Sequence, residues 1–523
     1  MLPGKYTIKI NGDDWLKGVS NGPFDNDGVF QYNNISDSGA NFTSIAATNV
    51  ITNPGILYPQ NPDVLDSISL DGDIVARCKS FSYVGANNFF LTSTGKIYSD
   101  YGGTLTFLIQ DTTVGRTYQA GSCDMVVYNY NIYISSGVGT SKQVSKISVS
   151  SFDGTYLSSD FNWWTGTMGK TLTGVYGTFI TPLHVFENNL WIGDGNNIHK
   201  YDQLAGVAST NVLSLNSDQL IIALETDPNS GKMMVSTTVG ANADFSRATL
   251  SKMLFWDGFS PKPSRAIIVD SPVSAMYTVS GMVYMIYGAE NLGYWAGSGI
   301  KLLRKLIGNK YGGVRGFKTT ITSLHNILYV LDGTLVLMFG ELKGGADRVW
   351  NVAYNPLHSE SFSYGGTLSS VNIFSIQPSD YNNITIQYTL YGTAGTKRIF
   401  TKYPIKAKPT IGQSLNTNRE IKTTIFDMDG KLVKIKAIKT SWEFNTISNN
   451  TYPIAINVYN GNSSRTINFS TGNQNYNNKY NTDRFYFPSS QEDSQFYDFY
   501  LGLNFPVFYS GLRTLTIYYD IIE

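Results

Sequence analysis

Cysteine, histidine and charge are all scarce in this chain of 523 residues. Two cysteines, Cys78 and Cys123, cannot supply a multi-bridge framework or a four-cysteine zinc site, and both read as small buried side chains. His184, His199, His325 and His358 are the only imidazoles, too dispersed to show metal-ligand spacing. His184 and His325 each precede an apolar strand pattern, which suits a structural hydrogen bond. Charged residues are only 15%, balanced at 39 basic and 39 acidic, so no general attraction to nucleic acid or anionic membrane is expected. No window approaches the ~18 apolar residues a spanning helix needs, and the opening MLPGKYTIKINGDDW lacks the apolar core of a secretory signal. The expectation is synthesis in a cytoplasm, without membrane insertion.

Standard chemical motifs are missing too. There is no phosphate-binding glycine loop, nucleophile elbow or Cys/His pair. Ser151-Phe-Asp-Gly-Thr-Tyr156 approaches the Asp box of hydrolytic propellers but lacks its spacer and its Trp, and reads as a turn. Nothing in the sequence pairs two carboxylates as a glycosidase requires. The reading is a protein that is not an enzyme, with no catalytic, metal or cofactor residues.

What the chain does have is 35 Tyr, 28 Phe and 50 Gly, a mixture that favours strands and turns over helices. One pattern recurs: an Asn- or Gly-bearing loop, then a short strand centred on a large side chain. The anchors are Phe90, Tyr133, Trp191, Met234, Tyr284, Tyr329 and Phe374, separated by 43, 58, 43, 50, 45 and 45 residues. Propeller blades repeat at roughly 40–50 residues. Asp194-Gly195 and Asp332-Gly333 are hairpin signals within the best copies. The expected fold is therefore all-β, a β-propeller of six or seven blades over residues 73–407. An extended arm, 1–72, precedes it, and a β-sandwich-like domain, 408–523, follows. Gly299–Ile307 is the best short helix candidate.

Charge is unevenly placed. The arm holds eight Asp, including Asp13, Asp14, Asp25 and Asp27, against Lys5, Lys9 and Lys17. From Lys397 to Lys439 there are eleven basic residues and three acidic ones; the basic set includes Lys402, Lys406, Lys408, Lys434, Lys436 and Lys439. Opposite patches of this kind can fix the register between neighbouring subunits, and these residues are the candidate interface. Solvated faces are the plainer explanation. A smaller basic run extends from Lys301 to Lys318. Trp163-Trp164, inside the longest repeat, is the candidate partner contact, with packing beneath that repeat as the alternative.

In this layout the chain resembles the tail nozzle, or tail hub, proteins of short-tailed bacteriophages. The resemblance rests on the N-terminal arm, the phrase Asn53-Pro54-Gly55-Ile56, the strand phrase Asn87 to Tyr98, a lysine-bearing strand opening a C-terminal β domain, and a final strand from Leu515 to Ile522. It implies a virion structural protein, a homo-oligomeric ring of six subunits in the tail. The implied partners are portal, adaptor, tail fibre or other tail proteins, and viral DNA that passes through the lumen during genome ejection without tight binding. No catalytic residue carries over. Two other classes stay open: a receptor-binding propeller that recognises a host glycan or protein, and a carbohydrate-active propeller enzyme.

Overall fold

The computed structural model describes residues 4–10, 64–65, 70–79, 88–101, 104–136, 142–151, 153–172, 180–239, 251–288, 290–306, 317–341, 348–356, 365–379, 382–404, 419–423, 425–444, 455–460, 466–470, 482–489, 494–505 and 510–522. They are nearly all β. Most strands fall into seven four-stranded antiparallel sheets.

Sheet 1 runs Ile74–Lys79, Asn88–Thr92, Lys96–Tyr101, Thr104–Gln110. Sheet 2 runs Asp124–Tyr128, Asn131–Ser136, Gln143–Val149, Tyr156–Asp160, and sheet 3 runs Leu183–Phe186, Asn189–Asp194, Asn197–Asp202, Val207–Ser214. Sheet 4 comprises Gln219–Asp227, Lys232–Val239, Ser251–Trp256, Arg265–Val269, and sheet 5 comprises Val273–Val279, Met282–Tyr287, Asn291–Trp295, Ile300–Lys305. Sheet 6 is Ile321–Leu324, Ile327–Asp332, Leu335–Glu341, Arg348–Tyr354. Sheet 7 is Leu368–Pro378, Asn383–Gly392, Gly395–Pro404, and, as its fourth strand, Val64–Leu65 from far upstream.

Local chemistry sets the hairpins. Asn129 and Tyr130 (φ 46° and 59°) and Glu187 and Asn188 (φ 48° and 55°) form two-residue turns between the first and second strands of sheets 2 and 3. Positive φ at both central residues matches the right-handed twist of the flanking strands. The Asp194-Gly195 and Asp332-Gly333 signals fall at the second hairpins of sheets 3 and 6.

The second strands are buried at their centres, and Asn88–Thr92 and Asn131–Ser136 along their whole length. Such strands cover both faces, so they read as continuous apolar runs without alternation. One apolar cluster joins sheets 1 and 2 (Phe89, Ile97, Met125, Ile132), another sheets 2 and 3 (Val126, Tyr133, Leu190, Ile192). Further clusters join sheet 3 to 4 and sheet 4 to 5. Sheet 7 meets sheet 1 through Phe400 against Phe90, ring centroids 5.4 Å apart at 89°. The first strands of consecutive sheets pack in order from sheet 1 to sheet 7, and Leu368–Pro378 of sheet 7 also packs on Ile74–Lys79 of sheet 1.

Several expectations need correction. Phe374 does not sit where the other anchors sit. Phe90, Tyr133, Trp191, Met234, Tyr284 and Tyr329 lie on second strands and are buried, whereas half-buried Phe374 lies on a first strand, at a bulge between Ile373 and Ser375. The buried aromatic residue of the second strand of sheet 7 is Tyr388, paired with Ile373. Phe90 also differs: it faces sheet 7, while Tyr133, Trp191 and Met234 face the following sheet. The helix expected at Gly299–Ile307 is the strand Ile300–Lys305, because pairing with Asn291–Trp295 outweighs a weak local propensity.

Nor is the arm a separate element in its described parts. Tyr6–Ile10 pairs with Ser510–Ile521, Tyr6 opposite Tyr519 and Ile10 opposite Leu515, and Val64–Leu65 completes sheet 7. Their partners lie hundreds of residues away, so no local hairpin marks them. The remaining ten-stranded sheet follows the order Tyr6–Ile10, Ser510–Ile521, Val433–Phe444, Thr482–Pro488, Thr466–Ser470, Ala455–Asn460, Asp498–Phe505, Arg419–Lys422. Two short strands, Phe426–Asp427 and Gln495–Phe496, pair off this path. Among the described residues, its two halves pair through Phe469 with Pro488 and Ser470 with Phe487, and the rings of Phe496 and Phe499 lie 5.9 Å apart across them. By contacts the chain forms two compact units, residues 65–334 with 366–402, and residues 1–64, 335–365 and 403–523.

Candidate functional site: a polar cluster on the first strands

Antiparallel pairing places one first-strand residue opposite each second-strand anchor. These residues are Arg77 (opposite Phe90), Val126 (Tyr133), His184 (Trp191), Glu225 (Met234), Tyr277 (Tyr284) and Thr322 (Tyr329). Five of the six are polar. Several of their contacts cross between sheets. His184 Nε2 lies 2.8 Å from Thr226 Oγ1, and Thr278 Oγ1 donates to the Thr226 carbonyl at 3.4 Å. The Tyr277 hydroxyl is 3.4 Å from Thr322 Oγ1, and Arg77 Nη2 donates to the carbonyls of Ile321 at 2.6 Å and Lys318 at 3.0 Å.

Beside this layer lies a small cavity of about 30 Å³, lined by Arg77, Cys123, Asp124, Met276, Phe317 and Lys318, among others. Asp124 opens the first strand of sheet 2. Its Oδ1 accepts the Met125 N–H at 2.8 Å, its Oδ2 accepts the Leu183 N–H at 2.9 Å, and Lys318 Nζ approaches Oδ1 at 3.5 Å. Phe317 packs on Gly121, whose φ of +81° and lack of a Cβ are both required: a Cβ there would stand 2.4 Å from the Phe317 ring.

The environment moves several acidities. Burial, helped by the Lys318 charge, pulls the His184 imidazole down to about 3, so it is neutral at physiological pH. Burial raises the Glu225 carboxyl, against the pull of Lys318 and of a hydrogen bond from the Thr226 N–H at 3.0 Å. Burial raises both thiols, Cys123 to about 11, which leaves them unreactive. Among the described residues, no three His, Cys, Asp or Glu side chains are grouped as a metal site would need.

The residues singled out from the sequence are dispersed. Asp13, Asp14, Asp25, Asp27, Lys406 and Lys408 lie outside the described residues. Half-buried Lys402 is on the third strand of sheet 7, while Lys434, Lys436 and Lys439 lie on Val433–Phe444 of the ten-stranded sheet. Lys436 Nζ is 3.6 Å from Asp520, and Lys439 Nζ lies 5.7 Å from the Phe485 ring centroid. Both therefore have partners within the chain. Of the basic run, Lys301 and Lys305 are exposed on sheet 5, Arg304 is buried, and Lys318 points to the cavity.

Trp163 and Trp164 are the clearest correction. They lie in a single π-helical turn, Trp163–Thr167, and are 2% and 0% exposed. Trp163 meets Tyr133 and Tyr201 edge-on at 4.9 and 4.8 Å, and Trp164 stacks 5.8 Å from His199. The pair packs between sheets 2 and 3, so it offers no face to a partner.

Sequence reasoning overlooked Arg77, Asp124, Glu225 and Tyr277, and saw Lys318 only as the end of a basic run. A signal did exist: Val126, His184, Tyr277 and Thr322 each stand seven positions before their anchor, the offset a two-residue hairpin turn enforces.

Comparison with known proteins adds little here. No family model matches the chain, and no curated protein matches it. Among solved structures, a chain of a mitotic checkpoint complex is 12% identical, with a TM-score of 0.38 over 65% of this chain and 94% of that one. The computationally designed Ika8 protein is 14% identical, with a TM-score of 0.31 over 70% and 96%. The extracellular domain of a hybrid two-component system from B. thetaiotaomicron is 10% identical, with a TM-score of 0.38 over 81% and 47%. Likeness at this level carries no functional argument.

Proposed function

We propose that the seven sheets form a closed seven-bladed β-propeller and that the protein is a structural, ring-forming subunit of a phage tail. Closure is supported by the packing of sheet 7 on sheet 1 and by the upstream strand Val64–Leu65 in sheet 7. A fourth strand supplied from the other end of the repeat ties the last blade to the chain's beginning.

The observation that carries the assembly reading is a set of exposed apolar side chains on the fourth strands of five consecutive sheets. They are Phe107, Leu157, Val207, Ile268 and Leu302, each at least half exposed. The fourth strands are the outer edges of the blades, and exposed apolar residues recurring there suit packing between subunits. Burial of Trp163 and Trp164 removes the best local candidate for the receptor-binding alternative. The small cavity on the first strands leaves no room for a nucleic-acid duplex. In this reading the DNA channel is formed between subunits of the ring.

The deciding experiment is the mass of the purified protein, alone and mixed with portal and adaptor proteins. The expected result is a closed ring that copurifies with them and holds at 1 M salt, because apolar packing is not weakened as ion pairs are when screening shortens to ~3 Å. A protein that stays monomeric at low salt and on the portal complex overturns the proposal.

A further inference from the structure

We propose that the cavity beside Arg77 and Lys318 is a receptor for a single carboxylate group. The argument is a count of donors against acceptors. Arg77 is 9% exposed; its Nη2 is committed to two carbonyls, and its Nε has no hydrogen-bond partner. Leaving a charged donor unmatched in a buried setting is costly, so such groups are normally met by an acceptor. Lys318 makes one loose contact, 3.5 Å to Asp124, and its side chain is 33% exposed at the cavity. Both Asp124 oxygens already take backbone N–H groups, so Asp124 holds Lys318 in place without using up its donors.

The room fits this chemistry. A volume of about 30 Å³ accommodates roughly two water-sized groups, the bulk of one carboxylate's two oxygens. Phe317 and Met276 supply apolar wall, suited to the carbon that bears the carboxylate. Arg77 and Lys318 both line this small space, and hydrogen bonds from such cations to an anion are charge-assisted, the strong kind. The carboxylate comes either from a small free acid or from an acidic side chain of another protein, and both present the same group.

The test uses the full-length protein and saturation-transfer NMR. One arm offers acetate at constant ionic strength. A second offers a capped Gly-Glu-Gly peptide beside its Gly-Gln-Gly counterpart. Transfer to acetate alone assigns a free acid; transfer to the Glu peptide and not to the Gln peptide assigns a protein side chain. Lys318→Met should weaken binding about tenfold or more, as loss of one charge-assisted hydrogen bond implies, and Lys318→Arg should restore it. Lys318 is partly exposed and Lys318→Arg keeps the charge beside buried Asp124, and a thermal melt of each variant checks that the fold is intact. No transfer in either arm, binding of Gln and Glu peptides alike, or Lys318→Met binding as well as the parent would each overturn the proposal.

Discussion

Asp73 and Arg398 are 325 residues apart in the chain, yet Arg398 Nε donates to Asp73 Oδ1 at 3.0 Å. The same oxygen accepts the Thr389 hydroxyl at 2.6 Å. Nearby, the Ile74 N–H donates to Gln387 Oε1 at 3.1 Å, Asn88 Nδ2 to the Pro378 carbonyl at 2.7 Å, and the Ser379 hydroxyl to Asp100 at 2.8 Å. The seam between the first and last sheets thus combines a polar network with the apolar contact of Phe90 and Phe400. Polar bonds suit such a seam because they fix register, which apolar contact alone leaves free.

Asp73→Ala should therefore destabilise residues 65–334 and 366–402 by about 1–3 kcal/mol, since it removes two hydrogen bonds and leaves the fully buried Thr389 hydroxyl without its acceptor. Chemical denaturation gives the number directly. A midpoint unchanged from the parent would mean that the seam contributes nothing to stability.

His184 sets a pH dependence whose sign follows from its neutral state. Its folded value, about 3, lies below the ordinary 6.5, so between those limits the unfolded chain binds a proton that the folded chain refuses. Stability from this group is complete above pH 6.5 and falls as pH drops toward 3, by at most about 1.4 kcal/mol per pH unit. His184→Gln should flatten the stability profile over that window. Profiles that run parallel from pH 4 to 7 would show that His184 accepts its proton freely in the folded protein.

Glu225 works in the opposite sense. Its carboxyl is raised, so the folded state prefers it protonated, and that preference is lost as pH climbs past the ordinary 4.5 and through the folded value. Glu225→Gln keeps an acceptor for the Thr226 N–H and removes the buried charge. The variant should be more stable than the parent at pH 7, with the gap closing below pH 4.5. Thermal melts at the two pH values check this, and a Gln variant less stable at pH 7 would show that Lys318 stabilises the ionised form more than burial penalises it.

Much of the repeat could be read in the sequence because large buried side chains recur on the second strands at blade-like spacing. Trp191 and Tyr329 are each followed by Asp-Gly turns that mark the next hairpin. Trp163 and Trp164 were open to two readings, since a tryptophan pair in a long connection looks the same whether it faces a partner or fills the space between sheets. The polar cluster was harder to see. Arg77, Asp124, His184, Glu225 and Lys318 are far apart in sequence and come together only because first strands of successive sheets pack side by side. No linear motif records that meeting. The strands Tyr6–Ile10 and Val64–Leu65 were missed for a related reason: their partners, Ser510–Ile521 and Gly395–Pro404, lie hundreds of residues away.

The seventh repeat offers the sharpest test of the alignment. Sequence spacing selects Phe374 as the anchor, whereas the structure puts Tyr388 on the second strand, 0% exposed and paired with Ile373, and leaves Phe374 half-buried at a bulge. Emptying a fully enclosed aromatic site costs the transfer of the ring and the cavity left behind, about 3–5 kcal/mol, while a half-buried ring loses only part of that. Tyr388→Ala should therefore be markedly more destabilising than Phe374→Ala in the same denaturant titration. The order matters more than either value, because both residues sit in one sheet and share the same unfolded reference. If Phe374→Ala proves the costlier change, the anchor spacing read from the sequence is right and the strand assignment of sheet 7 is wrong.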